Sequence, residues 1–134
     1  LMVGLGVSSI SDSWYAFAQN VKTVEEYYEI LEENRIPIFR GHKLNQEDLI
    51  IRKHILDIMC HYETEWKSAD KQHVSVLEAL PRLKEIEEDG LIELNDYSLT
   101  VTEKGKPFVR NICMAFDARL MRNRPSTQLF SMTI

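Results

Sequence analysis

Histidine and cysteine are the residue types here with the widest chemical reach, and their spacing limits what they can do. The histidines are His42, His54, His61 and His73. His54 and His61 stand seven apart on one predicted helix, so they lie two turns apart. Zinc-binding pairs on a helix sit one turn apart, as in HExxH. No metal ligand is expected among them. Cys60 and Cys113 are far apart and neither has a CxxC companion. That spacing argues against a disulfide framework and a cysteine-rich metal site, and suits a reducing cytoplasm. Cys113, beside Met114 on an apolar stretch, reads as core, and no basic group is placed to activate it. The early Gly4-Leu5-Gly6 is not a dinucleotide fingerprint, because Ser9 stands where the third glycine belongs and no helix follows at once. Glutamates crowd residues 25–33 and 85–93. They read as solvated helix faces, and no carboxylate pair for glycoside chemistry stands out. No catalytic residue emerges.

The elements that would position such residues are clearer. Residues 2–10 read as a short buried strand. Its Val3, Leu5 and Val7 alternate with Gly4, Gly6 and Ser8, leaving one side open to a backbone or a ligand. Residues 11–22 read as extended or looped chain. Thr23 and Glu26 form a capping box for a helix running to about Asn34, closed by Arg35-Ile36-Pro37. Asn45, with Asp48 three residues on, opens a second helix. Leu49, Ile51, Ile55, Ile58, Met59 and Tyr62 mark its broad apolar face. Lys53 and Asp57 can pair along it, as can Asp48 and Arg52, for ~0.3–0.5 kcal/mol each. Residues 63–72 read as loop.

Val74, Leu77, Leu80, Leu83 and Ile86 predict a third helix, kinked or restarted at Pro81 and stopped by Asp89-Gly90. Two short strands follow, residues 91–94 and 98–101, around an Asn95-Asp96 turn. Thr102 caps a final helix with apolar positions Ile112, Met114, Ala115, Phe116, Leu120 and Met121. Residues 123–134 read as an extended tail, apolar enough to dock. Helix, two-stranded wing, helix is winged-helix grammar. A nucleic-acid reader of that type needs a basic helix and a basic wing. Here PRLKEIEEDG and LIELNDYSLTV are acid-heavy, so the fold reads as a packing module.

The length of 134 residues suits one domain with one core. Sixteen basic against 21 acidic side chains leave a net charge of −5, which argues against nucleic acid as the main partner. No apolar run reaches the ~18 residues of a membrane span. Residues 1–10 are too short for a span and lack the basic flank of a signal peptide.

Seven stretches occur in order along the chain: GLGVSSIS, YAFAQN, IPIFRGHKLNQEDLIIRKHILDIMC, DGLIEL, LTVTEKGK, RNICMAFDARL and QLFSMTI. Together they resemble the C-terminal part of the oxygen-independent coproporphyrinogen III oxidase family, radical S-adenosylmethionine enzymes of heme biosynthesis. RNICMAFD and the terminal FSMTI carry the specificity, because other winged-helix-like proteins lack that ending. The family joins a barrel holding CxxxCxxC, an iron–sulfur cluster and S-adenosylmethionine to a smaller, mostly helical domain. It takes a hydrogen from each of two propionates, and decarboxylation leaves vinyl groups. CxxxCxxC does not occur in these 134 residues.

The resemblance therefore implies a piece of a longer enzyme, cut just inside the barrel. Residues 1–20 would be the last barrel strand and its exit, and residues 21–134 a winged-helix-like C-terminal domain. The implied fold class is α+β, mostly helical, with a short two-stranded wing behind a remnant strand. Ile10 matches the isoleucine that lies against a bound S-adenosylmethionine. It is the only site residue carried over. Gln19, Asn20, Arg40 and Arg110 recur in the matching stretches without a role; the arginines can meet tetrapyrrole carboxylates or pair with acids of the fold. The implied partners are the missing barrel domain and coproporphyrinogen III, with neither nucleic acid nor membrane, in the cytoplasm. The piece alone should be inactive, hold no cofactor stably, and cover or shape the active site. Without its sheet partners, residues 1–20 should be disordered, re-packed or paired with another chain. The competing reading is a free-standing winged-helix-like module binding nucleic acid or a tetrapyrrole.

Overall fold

The computed structural model describes residues 1–66 and 73–122. The apolar docking tail expected over 123–134, and most of the loop expected over 63–72, lie outside the described residues. The chain divides into two compact units, Leu1–Leu49 and Ile50–Ile134, with the division in the first turn of a helix.

The first unit is a three-stranded antiparallel sheet, β1 (Ile10–Asp12), β2 (Ala16–Asn20) and β3 (Ile38–Lys43), in that order, with helix α1 (Val24–Glu32) between β2 and β3. Residues 2–9 are not the buried strand that their alternation predicts. Gly6 at φ +89° and Ser8 at φ +59° turn the chain back on itself, and Leu1, Met2, Val3 and Leu5 stay exposed. Met2 exchanges two backbone hydrogen bonds of 2.8 Å with Asp12, and at the other end Ser8 N–H donates to the Val21 carbonyl and the Ser9 carbonyl accepts the Asn20 N–H. Gly4 is needed for closeness, since a Cβ there would lie 2.7 Å from the Ile10 carbonyl oxygen. Trp14, at φ +67° and exposed, occupies the β1–β2 turn.

Helix α1 begins after Thr23, as the sequence indicates, but the Thr23 hydroxyl makes no capping hydrogen bond. Backbone closure does the work instead: Tyr27 N–H donates to the Thr23 carbonyl, and Glu25 and Glu26 face the positive end of the helix. The reciprocal cap appears at the second helix, α2 (Gln46–His61). Asp48 N–H donates to Asn45 Oδ1 at 2.9 Å, and Asn45 N–H to Asp48 Oδ2 at 2.9 Å.

In the second unit, β4 (Glu63–Glu65), β6 (Ser98–Val101) and β5 (Ile92–Leu94) form an antiparallel sheet with β6 in the centre. The sequence reading has two of these strands and takes β4 for loop. Its register places Thr64 opposite Leu99, which buries Thr64 and leaves both glutamates exposed. Helix α3 (Val74–Glu88) runs through Pro81 as one element. The carbonyl that loses its partner there belongs to Leu77, which is half-exposed, so solvent reaches that turn. Asp89 and Gly90, at φ +71°, close the helix as expected. Thr102 Oγ1 accepts the Gly105 N–H at 3.1 Å, and a short 3-10 turn (Lys106–Phe108) leads into α4 (Val109–Met114).

The single final helix expected from the apolar spacing is two. Arg82 donates twice to the Ala115 carbonyl, at 3.0 and 2.7 Å, and so takes up the end of α4. Asp117 Oδ1 then accepts the Leu120 N–H and starts α5 (Ala118–Arg122).

The expected single core is the core of this second unit. Ile58, Trp66, Ala79, Leu83, Ile92, Leu99, Ile112 and Phe116 are all at most 2% exposed. His54 is buried with them. Its Nδ1 lies 2.9 Å from Thr64 Oγ1, and its ring stacks on Phe116 and stands edge-on to Trp66. Cys113 belongs to this core as the sequence indicates. Burial pushes its thiol up to about 11. At pH 8 the exposed Cys60 should alkylate with iodoacetamide while Cys113 reacts roughly 100-fold more slowly, and denaturant should equalise them. Tryptic mass mapping reads this directly, and equal native rates would place Cys113 outside the core.

Candidate functional site

The first unit carries the one residue that the resemblance points to, and the strand register decides what surrounds it. Ile10 lies opposite Gln19, and Gln19 opposite Arg40. Asp12 lies opposite Phe17, and Phe17 opposite His42. Strand side chains alternate between faces, so Ile10, Phe17, Gln19, Arg40 and His42 share one face of the sheet. They line a cleft of about 370 Å³. Its floor is apolar at Ile10 and Phe17. Ile10 is 52% exposed, which leaves its side chain open to a ligand rather than consumed as core.

Both polar groups at the rim are held. Arg40 Nε donates to Gln19 Oε1 at 2.8 Å, and Gln19 Nε2 donates to the Ser8 carbonyl at 3.2 Å. His42 Nε2 lies 3.1 Å from Oδ2 of Asp48, the buried carboxylate that caps α2. On the opposite face Asn20 is buried, and its Nδ2 donates to the carbonyls of Gly4 and Gly6 at 3.1 and 2.9 Å. Gln19 and Asn20, which carry no role in the sequence reading, thus tie the 4–9 loop to the sheet from its two faces. Arg110 lies in α4 of the second unit and is exposed.

Sequence reasoning passes over β3 and so names His42 among the histidines without placing it at the cleft. The available signal is Ile38-Phe39 directly after Pro37, a start for an extended segment.

No family model matches the chain. Among curated proteins it is 34% identical to the oxygen-independent coproporphyrinogen III oxidase of Escherichia coli, over 99% of this chain and 30% of that protein. The proteins of that name from Synechocystis and Helicobacter pylori are 32% and 31% identical over 99% and 98% of the chain. A solved structure of coproporphyrinogen III oxidase from Escherichia coli, described as a radical SAM enzyme, superposes with a TM-score of 0.77 at 33% identity. It covers 88% of this chain and 28% of that one. The chain belongs to the oxygen-independent coproporphyrinogen III oxidase family. It corresponds to the C-terminal part and spans about 30% of the length of the curated relatives it matches.

A radical oxidase of this family implies S-adenosylmethionine and an iron–sulfur cluster in the full-length protein. The cleft at Ile10 fits part of the first, because it offers an exposed apolar floor beside a guanidinium. The cluster does not fit this chain. Cys60 is exposed, Cys113 is buried with its thiol pushed up to about 11, and the described residues hold no group of three metal-ligating side chains. Among the described residues no helix is long and apolar enough to cross a membrane.

Proposed function

We propose that this chain works as the C-terminal part of a longer cytoplasmic radical S-adenosylmethionine oxidase acting on coproporphyrinogen III. Each of two propionates becomes a vinyl group with release of one CO₂. A hydrogen atom leaves to chemistry that S-adenosylmethionine supplies when bound, and a second electron leaves to an acceptor outside this chain. Within that enzyme residues 1–20 are the last strand and exit of the barrel, and residues 21–134 are the smaller domain that covers or shapes the active site. Ile10 contacts the cofactor. The cluster ligands lie in the preceding part of the enzyme, and the present chain alone is inactive.

The observation that carries this reading is a match along nearly the whole chain, in sequence and in fold. The first unit adds support. Val21 and Pro37 are buried there, whereas Leu1, Val3, Leu5, Trp14, Tyr15, Ile36 and Phe39 are exposed. That is the surface of a segment built to pack against more chain. The second unit supports a winged-helix-like module: α2, β4, α3 and the β5–β6 hairpin follow in that order, and β4 completes the sheet. Glu85, Glu87, Glu88 and Glu93 are exposed on α3 and β5, which suits a packing role better than a phosphate backbone.

The test is to read the coding DNA upstream of the Leu1 codon and to assay both products anaerobically with coproporphyrinogen III. The expected result is a frame containing CxxxCxxC, two CO₂ per tetrapyrrole from the long protein, and none from the 134 residues. A start codon just upstream, or decarboxylation by the short chain, would overturn it.

A further inference from the structure

We infer that Arg40 is the carboxylate-binding residue of the Ile10 cleft and that Gln19 is the residue that positions it. Three observations converge. First, the guanidinium is fixed: Nε donates to Gln19 Oε1 at 2.8 Å, and Gln19 is itself fixed through Nε2 to the Ser8 carbonyl. An arginine anchored through Nε loses less freedom when it takes a ligand. Second, the Nη groups of Arg40 have no hydrogen-bond partner among the described residues. A guanidinium held through Nε presents its Nη groups for paired contact with a planar anion. Third, the register puts this group on the face that carries Ile10 and Phe17. The matching ligand has an apolar or aromatic body over those two side chains and a carboxylate at Arg40. His42, held to Asp48, stands at the same rim and adds a second polar edge.

A carboxylate of that kind has two sources under the proposed function, on which this identification of the ligand rests: the methionyl end of S-adenosylmethionine, or a propionate of the tetrapyrrole. The site itself rests only on the geometry. It is tested on the whole 134-residue chain by calorimetric titration at millimolar ligand, which reads the weak binding expected of a piece that holds no cofactor stably, with S-adenosylmethionine, with its decarboxylated analogue, and with coproporphyrin III. The same titrations are run on Arg40→Gln, Arg40→Lys and Gln19→Ala.

Arg40→Gln should weaken one carboxylate ligand by about 10–100-fold, the range for a charge-assisted pair. Arg40→Lys should recover only part of that loss, and Gln19→Ala should weaken the same ligand less than Arg40→Gln does. If the affected ligand is S-adenosylmethionine, its decarboxylated analogue should bind wild type and Arg40→Gln alike. If it is coproporphyrin, the cleft holds the substrate. All three variants should keep the wild-type circular dichroism, because both side chains are at the surface of a sheet. Equal binding by wild type and Arg40→Gln overturns the inference, as does full rescue by lysine or the failure of both ligands to bind wild type at millimolar concentration. An Arg40-dependent titration alongside an upstream frame without CxxxCxxC would keep the cleft and remove the proposed oxidase. The reverse pair of results would do the opposite.

Discussion

Replacing Phe116 with alanine should destabilise the second unit by about 3–5 kcal/mol, the range for removing a large aromatic side chain from a close-packed core. Phe116 is 1% exposed and lies among Ile58, Leu83, Leu99 and Ile112 as part of one apolar cluster. Its ring centroid is 5.4 Å from that of His54, with the planes 25° apart, so the same substitution uncovers a buried imidazole. A domain of this size has about 5–15 kcal/mol of stability in all, so the loss is a large fraction of the whole. Urea denaturation followed by far-ultraviolet circular dichroism should show the midpoint falling sharply. Phe116→Leu should lose clearly less than Phe116→Ala, because leucine refills most of the volume with apolar atoms although it gives up the ring stacked on His54. A loss below 1 kcal/mol in Phe116→Ala would mean that the ring is not the centre of this core.

Gly105→Ala should cost about 3 kcal/mol, the upper end of what overpacking does. Gly105 has φ −79°, an angle any residue adopts, so backbone freedom is not what requires glycine. Space is. A Cβ there would run into the Leu91 carbonyl oxygen and lie 2.8 Å from the Leu91 carbonyl carbon and 3.0 Å from Val101 Cγ1. Leu91 cannot retreat freely, since its carbonyl accepts the Thr102 N–H at 3.0 Å and so holds the base of the β5–β6 hairpin. Gly6 makes the contrast. Its φ is +89°, and a Cβ there meets only Ser9 Oγ at 3.9 Å. Gly6→Ala should therefore cost only the ~1–2 kcal/mol of left-handed geometry. Thermal melts should place Gly105→Ala about 10 °C or more below wild type, with Gly6→Ala between the two. A Gly105→Ala melt within 2 °C of wild type would show that the hairpin base has slack.

These two residues also show what the sequence could and could not reveal. RNICMAFD, the most recognisable stretch, is legible as a family mark, yet its Ile112, Cys113, Ala115 and Phe116 are core rather than chemistry. Periodicity finds α2 and α3 because each buries a stripe of its own residues. It fails at β3 and β4, whose exposed residues carry no apolar alternation and whose pairing is with strands far along the chain. Capping patterns have the right composition at both Thr23 and Asn45, but only at Asn45 does the side chain turn back onto its helix. At the cleft, Ile10 is reached only by resemblance. Gln19 and Arg40 are 21 residues apart and become neighbours through strand register, which no local pattern encodes.

The chain has two tryptophans, one in each unit, in opposite surroundings: Trp14 is 61% exposed in a turn, and Trp66 is 2% exposed against His54. Ultraviolet emission therefore contains two optical channels, a red-shifted one from the first unit and a blue-shifted one from the second. Iodide quenches the first and spares the second while both units are folded. During denaturation, loss of the blue component marks the second unit opening, whatever the first is doing. A change in the quenchable component on adding a ligand reports the sheet that holds the cleft. The protein can thus be followed unit by unit without a dye, a label or a substitution.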